Sequence, residues 1–175
     1  MKTFEFTIIA TGLSPTEDGF ADRFFKAGRD DATISFQKGA TILEFDREAK
    51  TFSRALKSAI ANVRDAGAEV VNIEPDHLVS LSDIADRAGK TRAAASNYAK
   101  GSRGKNFPAP VVRVTTESPL WDWVGVARSL YRQDKLTLPD LLQARVVRAE
   151  NIKVLERQRD HLMAPQGAKA STRAA

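Results

Sequence analysis

The order of hydrophobic periodicities in residues 1–76 restricts the fold of this chain more than any other feature of its sequence. Alternation with period two predicts strands, apolar spacing of three and four predicts helices, and Gly or Pro marks most of the ends. The predicted elements are a strand at 3–10, a helix at 15–26, strands at 32–37 and 41–45, a helix at 50–66 and a strand at 69–73. This β-α-β-β-α-β order is that of the ferredoxin-like, or split βαβ, arrangement. We therefore predict an α+β protein with a ferredoxin-like α/β domain at its N-terminus.

Apolar residues within these segments fall on single faces. Phe4, Phe6 and Ile8 share one face of the first strand, with polar residues between them. The segment Lys38-Gly39-Ala40 separates two β-rich runs and predicts a hairpin turn. The second helix carries an apolar stripe formed by Phe52, Leu56, Ile60 and Val63. The predicted strands and this helix therefore each offer a face to a common core.

Cysteine is absent from all 175 residues, which excludes disulfides, thiolate metal sites and thiol catalysis. His77 and His161 are the only histidines, so we expect no zinc site and no other cofactor. The longest apolar runs span a few residues, which is too short to cross a bilayer. Residues 1–10 alternate like a strand and lack the pattern of a signal peptide. We expect a cytoplasmic protein that does not bind membranes.

The net charge of +5 is distributed unevenly along the chain. Residues 1–76 carry ten Lys and Arg against thirteen Asp and Glu, residues 77–135 carry ten against five, and residues 136–175 carry seven against four. Within residues 90–113 there is no acidic residue, and the basic residues are Lys90, Arg92, Lys100, Arg103, Lys105 and Arg113. Such a local excess is typical of a phosphate-facing surface. The change of sign near Pro75 predicts a domain boundary between 1–76 and 77–135.

Residues 81–98 fit a helix-turn-helix. We predict short helices over 81–88 and 91–99, with a small Ala85 where they cross, Gly89 in the tight turn and Thr91 as the cap of the second helix. The apolar residues expected between the helices are Ile84, Ala88, Ala95 and Tyr98. The residues expected on the outer face are Thr91, Arg92, Ala93, Ser96, Asn97 and Lys100. An outer face of this kind suits a DNA groove, because Arg matches guanine and Asn matches adenine.

The chain beyond this pair of helices predicts a β-hairpin and a further helix. Prolines at 108 and 110 exclude helix, and we expect a strand over 111–114, a turn at 115–118 and a return strand at 119–121. Asp122 is a suitable N-cap for a helix that continues through Arg132.

Three stretches of this region carry a resemblance to a known family: LVSLSDIADRAGKTRAAASNYAKG, FPAPVVRV and PLWDWVGVARSL. Residues 78–130 resemble the DNA-binding domains of the MerR and AlpA/excisionase-like group, which are small winged helix-turn-helix modules. The resemblance implies that the second helix enters the major groove and that a hairpin wing follows it. It implies groove or backbone contacts from Arg92, Ser96, Asn97 and Lys100. To these we add Lys90 and Thr91, at the start of the same helix, as candidate DNA contacts. The resemblance also implies wing-side phosphate contacts from Arg103, Lys105 and Arg113, and a packing role for Trp121.

Residues 136–163 predict one long C-terminal helix, and the tail at 164–175 predicts disorder. The apolar residues of this helix form a broad stripe that Arg145 and Arg159 interrupt; they are Leu138, Leu141, Leu142, Ala149, Ile152, Leu155 and Leu162. Such a stripe either packs back onto the chain or forms a dimer seam. Because helix-turn-helix proteins often dimerise on two half-sites, we expect a homodimer.

We predict a protein without enzymatic activity that binds double-stranded DNA sequence-specifically as a transcriptional regulator. The sequence shows no nucleophile elbow and no cluster of metal ligands. The first alternative is an antitoxin-like adaptor whose residues 1–76 bind a protein partner, with DNA binding for autoregulation. A second is a ligand-sensing regulator, which fold analogy alone supports.

Overall fold

The protein is a mixed α+β structure in the computed structural model, which describes residues 1–13, 31–101 and 106–163. These residues form a four-stranded antiparallel sheet, a two-stranded sheet and five helices. The strands are β1 (Lys2–Thr11), β2 (Ala32–Gln37), β3 (Ala40–Ala49), β4 (Glu69–Glu74), β5 (Leu78–Val79) and β6 (Trp121–Asp122). The helices are α1 (Phe52–Asp65), α2 (Leu81–Arg87), α3 (Arg92–Ala99), α4 (Trp123–Tyr131) and α5 (Leu138–Met163).

The larger sheet has the strand order β2-β3-β1-β4, and each neighbouring pair is antiparallel. The four predicted strands and the predicted second helix of residues 1–76 are confirmed, with ends that differ by a few residues. The predicted hairpin is also confirmed: Gln37 pairs with Ala40, and Lys38 and Gly39 have positive φ angles of 51° and 79°. Two positive φ values in a two-residue loop match the twist of the flanking strands. The helix predicted at 15–26 lies outside the described residues.

The first hydrophobic cluster lies between this sheet and α1. Phe6 and Ile8 of β1 and Leu43 and Phe45 of β3 point toward the helix and are buried. The ring centroids of Phe6 and Phe45 lie 5.3 Å apart in a stacked arrangement, and the ring of Phe52 meets Phe6 edge-on at 5.8 Å. The predicted α1 stripe is buried in this cluster, as its helical spacing requires.

β3 continues four residues beyond the strand predicted from the sequence, through Asp46-Arg47-Glu48-Ala49. The extension is possible because Arg47, which points into the core and is 7% exposed, has its charge matched. Its guanidinium donates two hydrogen bonds to the Asp31 carboxylate, at 2.6 and 2.8 Å, and others to Ser58 Oγ at 3.1 Å and Asn62 Oδ1 at 2.7 Å. This largely charged segment, which predicts the end of a strand, therefore belongs to β3 because its one buried arginine is paired.

A second hydrophobic cluster holds the small helices and the smaller sheet. β5 pairs with β6, so that Val79 lies opposite Trp121, and the Trp123 N–H donates to the His77 carbonyl at 2.7 Å. Trp121, Trp123 and Leu130 are buried there with residues of α2 and α3. The predicted cap of α4 is confirmed, since the Asp122 carboxylate accepts the Val124 N–H at 3.3 Å.

The strand predicted at 111–114 is largely wrong. It reduces to one antiparallel bridge between Val112 and Leu120, because Arg113 has a positive φ of 53° and turns the chain away. The predicted return strand keeps this single bridge at Leu120, and its next residue, Trp121, pairs with β5 instead.

α5 spans both clusters and packs back onto the chain. Its buried residues are Leu141, Ala144, Val147, Asn151 and Val154. The first two belong to the second cluster, and Val147 and Val154 belong to the first. Of the predicted apolar stripe only Leu141 is buried, and the exposed members are Leu138, Leu142, Ala149, Ile152, Leu155 and Leu162. The apolar stripe predicted from the sequence and the face of α5 that packs onto the protein are therefore different faces of the helix.

Asn151 attaches α5 to the edge of the larger sheet. Its side-chain Oδ1 accepts the Ile73 N–H at 2.8 Å, and its Nδ2 donates to the Ile73 carbonyl at 2.9 Å. Ile73 pairs with Ile8 on its other side, so the amide stands where a fifth strand would bind. An edge strand covered in this way is closed to pairing with other chains.

We expect Asn151→Ala to lower the free energy of unfolding by about 2–4 kcal/mol, because two buried main-chain groups of Ile73 lose their partners. Asn151 is 2% exposed, whereas Glu156 on the same helix is exposed. Glu156→Ala is therefore the control, with an expected effect of at most about 1 kcal/mol. Urea denaturation of both variants measures the difference, and equal midpoints would contradict the role assigned to Asn151.

Candidate nucleic-acid interface

α2 begins with a capping box. The Ser80 hydroxyl accepts the Asp83 N–H at 3.3 Å, and the Asp83 carboxylate accepts the Ser80 N–H at 2.8 Å. Two main-chain donors at the helix start are thereby satisfied. Ile84 and Ala85 follow as the buried residues of this short helix.

A tight turn connects α2 to α3. Gly89 has a positive φ of 59°, as the prediction of a turn glycine requires, and the Lys90 N–H donates to the Ala85 carbonyl at 2.8 Å. Thr91 caps α3 by accepting the Ala94 N–H at 3.2 Å, which confirms the predicted cap. Ala95 is fully buried against the second cluster. The two helices are therefore held in a fixed arrangement by small residues and local hydrogen bonds.

The candidate contact residues of this unit differ in exposure. Thr91, Arg92, Ala93 and Lys100 are exposed, as predicted for the outer face of α3, and so are Lys90 and Arg113. Ser96 and Asn97 are only half-buried, so less of each side chain reaches solvent than the sequence pattern indicates. Arg103 and Lys105 lie outside the described residues.

The electrostatics of α3 favour an anion at its start. Its first turn has no acidic residue, so the partial positive charge of the helix N-terminus is not offset there. Within the described ranges, no carboxylate lies within 4.0 Å of the side-chain nitrogens of Lys90, Arg92, Lys100 or Arg113. These four cations are therefore not engaged in the ion pairs that the structure describes.

The segment that starts at Asn106 is attached to the rest of the second cluster. The rings of Tyr98 and Phe107 stack at 6.1 Å between centroids, and Trp121 Nε1 donates to the Pro108 carbonyl at 3.1 Å. Trp121 is buried, in agreement with its expected packing role. Beyond it, the Thr116 N–H donates to the Arg113 carbonyl at 3.0 Å and closes the turn that displays Arg113. The turn at Arg113–Thr116 is thus closed by a main-chain hydrogen bond and carries an exposed arginine.

Arg87 is a further cation of α2, and its surroundings differ from those of the exposed candidate contact residues. Its guanidinium lies 5.3 Å from the centre of the Trp123 ring, and Nη1 donates to the Asp76 carbonyl at 2.7 Å. Burial lowers its pKa, and the nearby carboxylates of Asp83, Asp76 and Glu74 act in the opposite direction. Arg87 therefore joins α2 to the connection between the clusters instead of facing a ligand. No sequence signal distinguishes it from Arg92.

His77 lies at the same junction, where Nδ1 is 3.0 Å from the Asp76 carboxylate and 3.5 Å from the Asn151 amide nitrogen.

Across the residues that the structure describes, no three His, Cys, Asp or Glu side chains are grouped to hold a metal ion. No described helix has the length and apolar character needed to cross a membrane. Comparisons of the chain with protein-family models, curated proteins and solved structures found no match.

The capping box predicts a pH-dependent stability. Burial acts to raise the pKa of Asp83, but hydrogen bonds from Ser80 and the charge of Arg87 outweigh it and lower the pKa below the ordinary value of 3.8. A lowered folded-state pKa stabilises the protein above the unfolded-state pKa, and this contribution disappears as the pH falls through the folded-state value. We expect Ser80→Ala to cost about 1 kcal/mol near neutral pH.

The destabilisation caused by Ser80→Ala should shrink as the pH falls below 3.8 and through the lowered folded-state pKa of Asp83, because the charged acceptor of the hydrogen bond is then lost. Thermal unfolding near neutral pH and in acid measures both effects. Ser82→Ala, at an exposed position on the same helix, is the control. A destabilisation of the same size at both pH values would show that the bond does not involve the ionised carboxylate.

Proposed function

We propose that the protein binds double-stranded DNA sequence-specifically through α3 and regulates transcription. The observation that carries this proposal is the surface of α3, whose N-terminus is capped and acid-free. Arg92 is exposed at its start and Lys100 at its end, and neither has a carboxylate partner in the described ranges. Phosphate contacts from such cations position a protein on a duplex. Arg92 and Asn97 supply the side-chain types that match guanine and adenine edges.

The architecture around α3 supports the same interpretation. A tight α2–α3 turn, a short hairpin with Arg113 exposed and a Trp-anchored helix α4 follow one another as in the MerR and AlpA/excisionase-like group. We accordingly interpret residues 78–130 as a winged helix-turn-helix. For residues 1–76, the antiparallel strand order β2-β3-β1-β4 is compatible with the ferredoxin-like arrangement.

We also propose that two copies pair along the C-terminal part of the exposed stripe of α5, formed by Ile152, Leu155 and Leu162. Ile152, Leu155 and Leu162 are exposed on a helix of 26 residues whose other face is already packed. A two-fold dimer would present two α3 helices to two half-sites of a palindrome.

We expect selection from a random DNA pool to yield one preferred site, palindromic if the pairing is correct. On that site, Arg92→Ala/Lys100→Ala should weaken binding at least about tenfold and make the salt dependence shallower, by about one unit of slope for each phosphate that the variant no longer neutralises. Asn97→Ala should relax the preference at one base pair, at a cost of about 1–3 kcal/mol. Fluorescence anisotropy at two salt concentrations measures these changes.

The matched control for the DNA experiment is Arg54→Ala/Lys57→Ala, which removes one Arg and one Lys from exposed positions on α1. It should leave the affinity unchanged. An Arg92→Ala/Lys100→Ala protein with the affinity of the unaltered chain would refute binding through α3.

An observation on the sheet favours a second candidate function, an antitoxin-like adaptor that binds a protein partner through residues 1–76. The face of the sheet opposite α1 is acidic, with Glu5, Glu44, Asp46 and Glu48 exposed on adjacent strands. Glu5 lies directly opposite Asp46 in the β1–β3 register, where like charges destabilise a sheet. A basic partner surface would relieve this repulsion.

For the adaptor we expect the full chain to co-purify with a stoichiometric partner that no longer binds when Glu44 and Asp46 are replaced by Gln and Asn. Glu156→Gln/Asp160→Asn, on the exposed surface of α5, should retain the partner. Size-exclusion chromatography with mass detection follows the complex. A single species free of any partner would count against this function without affecting the DNA-binding proposal.

A further inference from the structure

A groove of about 830 Å³ lies between the start of β1, the start of α1 and the first half of α5. Its volume falls within the range of pockets that hold small molecules. Its apolar lining comes from Phe4 and Phe52 on one side and from Leu142, Val146 and Ala149 on the other. None of these residues belongs to the proposed DNA interface.

The apolar floor of the groove is rigidly built. The rings of Phe4 and Phe52 meet edge-on with centroids 5.8 Å apart, and Val146 packs against the first cluster. Leu142 remains 47% exposed, although it stands beside this floor. Apolar surface in a concave position is therefore available to a ligand, and covering it is favourable.

The rim of the groove is strongly basic. The basic side chains that line it are Lys2, Lys50, Lys57, Arg145 and Lys153, against one acidic residue, Glu150. Lys153 Nζ is paired with Glu150 at 2.8 Å. For the other four cations, no carboxylate of the described residues lies within 4.0 Å. The groove thus combines an apolar floor with an excess of positive charge.

We propose that this groove binds a small amphipathic anion, a carboxylate attached to an apolar body. The apolar body would lie on Phe4, Phe52 and Leu142, and the carboxylate would lie among the surrounding cations, chiefly Lys50 and Arg145. Arg presents two parallel donors to a carboxylate, and several cations around one anion share its charge.

Two other occupants fit the groove less well. A nucleic-acid backbone would use the cations but would leave the apolar floor without a partner. A second copy of the chain would bring its own exposed α5 stripe, and Arg145 and Arg159 interrupt that stripe. These arginines would add positive charge to a rim that already has an excess. A small anion with an apolar body satisfies both features of the groove.

The test is isothermal titration of the full chain with sodium decanoate below its micelle concentration. We expect saturable binding at one site, weakened by added salt because the cations are exposed. Acetate, which has the carboxylate without the apolar body, should show no binding. Decyltrimethylammonium, which has the apolar body with the opposite charge, should not bind at this site either.

Three variants assign the binding to the groove. Lys50→Gln/Arg145→Gln should weaken decanoate binding about tenfold, because two positive charges are removed from the rim. Leu142→Gln should weaken it several-fold, because the floor then offers less apolar surface. Arg128→Gln/Lys135→Gln removes the same charges from exposed positions outside the groove and should have no effect. Circular dichroism of each variant verifies the fold.

Three results would overturn the inference. They are the absence of decanoate binding, equal binding of decanoate and decyltrimethylammonium, and equal weakening by the groove and control variants. If decanoate does not bind and the groove variants instead change the molecular mass in sedimentation, the occupant is a second copy and the inference is also wrong. None of these outcomes bears on DNA binding, so the two proposals succeed or fail separately.

Discussion

Asn151 pairs its side-chain amide with both main-chain groups of Ile73, and this contact fixes the middle of α5 at the β4 edge. The position of α5 in turn places Leu141 and Ala144 in the second cluster, beside α4. The same amide stands 3.5 Å from His77, in the connection between the clusters. The second cluster is thus held beside the sheet by the packing of α5, and this packing includes one buried amide whose removal would leave polar groups unpaired in an apolar setting.

Acidic and basic side chains lie on different faces of the molecule. The net charge of a sequence segment does not show this separation. Residues 1–76 are acidic on average, yet Glu5, Glu44, Asp46 and Glu48 stand on the sheet face opposite α1 while Lys2, Lys50 and Lys57 border the groove. Within the basic middle segment, Arg87 is held against Trp123. Arg47 is buried in a network with Asp31. A count of charges predicts a surface only where the fold leaves those charges exposed.

Local signals predicted most of the elements, because caps, turns and periodicity act over a few residues. The Thr91 cap, the Gly89 turn and the α1 stripe are such cases, and each was correct. The end of β3 was not predictable, since Arg47 depends on Asp31, sixteen residues away. The packed face of α5 was missed because it centres on Asn151, a polar residue that only the β4 edge makes suitable for burial. The groove is lined by three segments that are distant in the sequence, so no local sequence pattern predicts it.

Consecutive residues of α5 serve the two halves of the molecule: Leu141 is buried in the second cluster, and Leu142 lines the groove. A ligand in the groove therefore contacts the helical turn that supports α4. Such a ligand alters the proposed DNA-binding unit only if its affinity differs between two positions of this turn. Because Asn151 fixes the middle of α5 to β4, any such difference must arise in the segment before it. This segment holds the α5 residues buried in the second cluster and all those that line the groove, apart from the paired Lys153 at the groove's end.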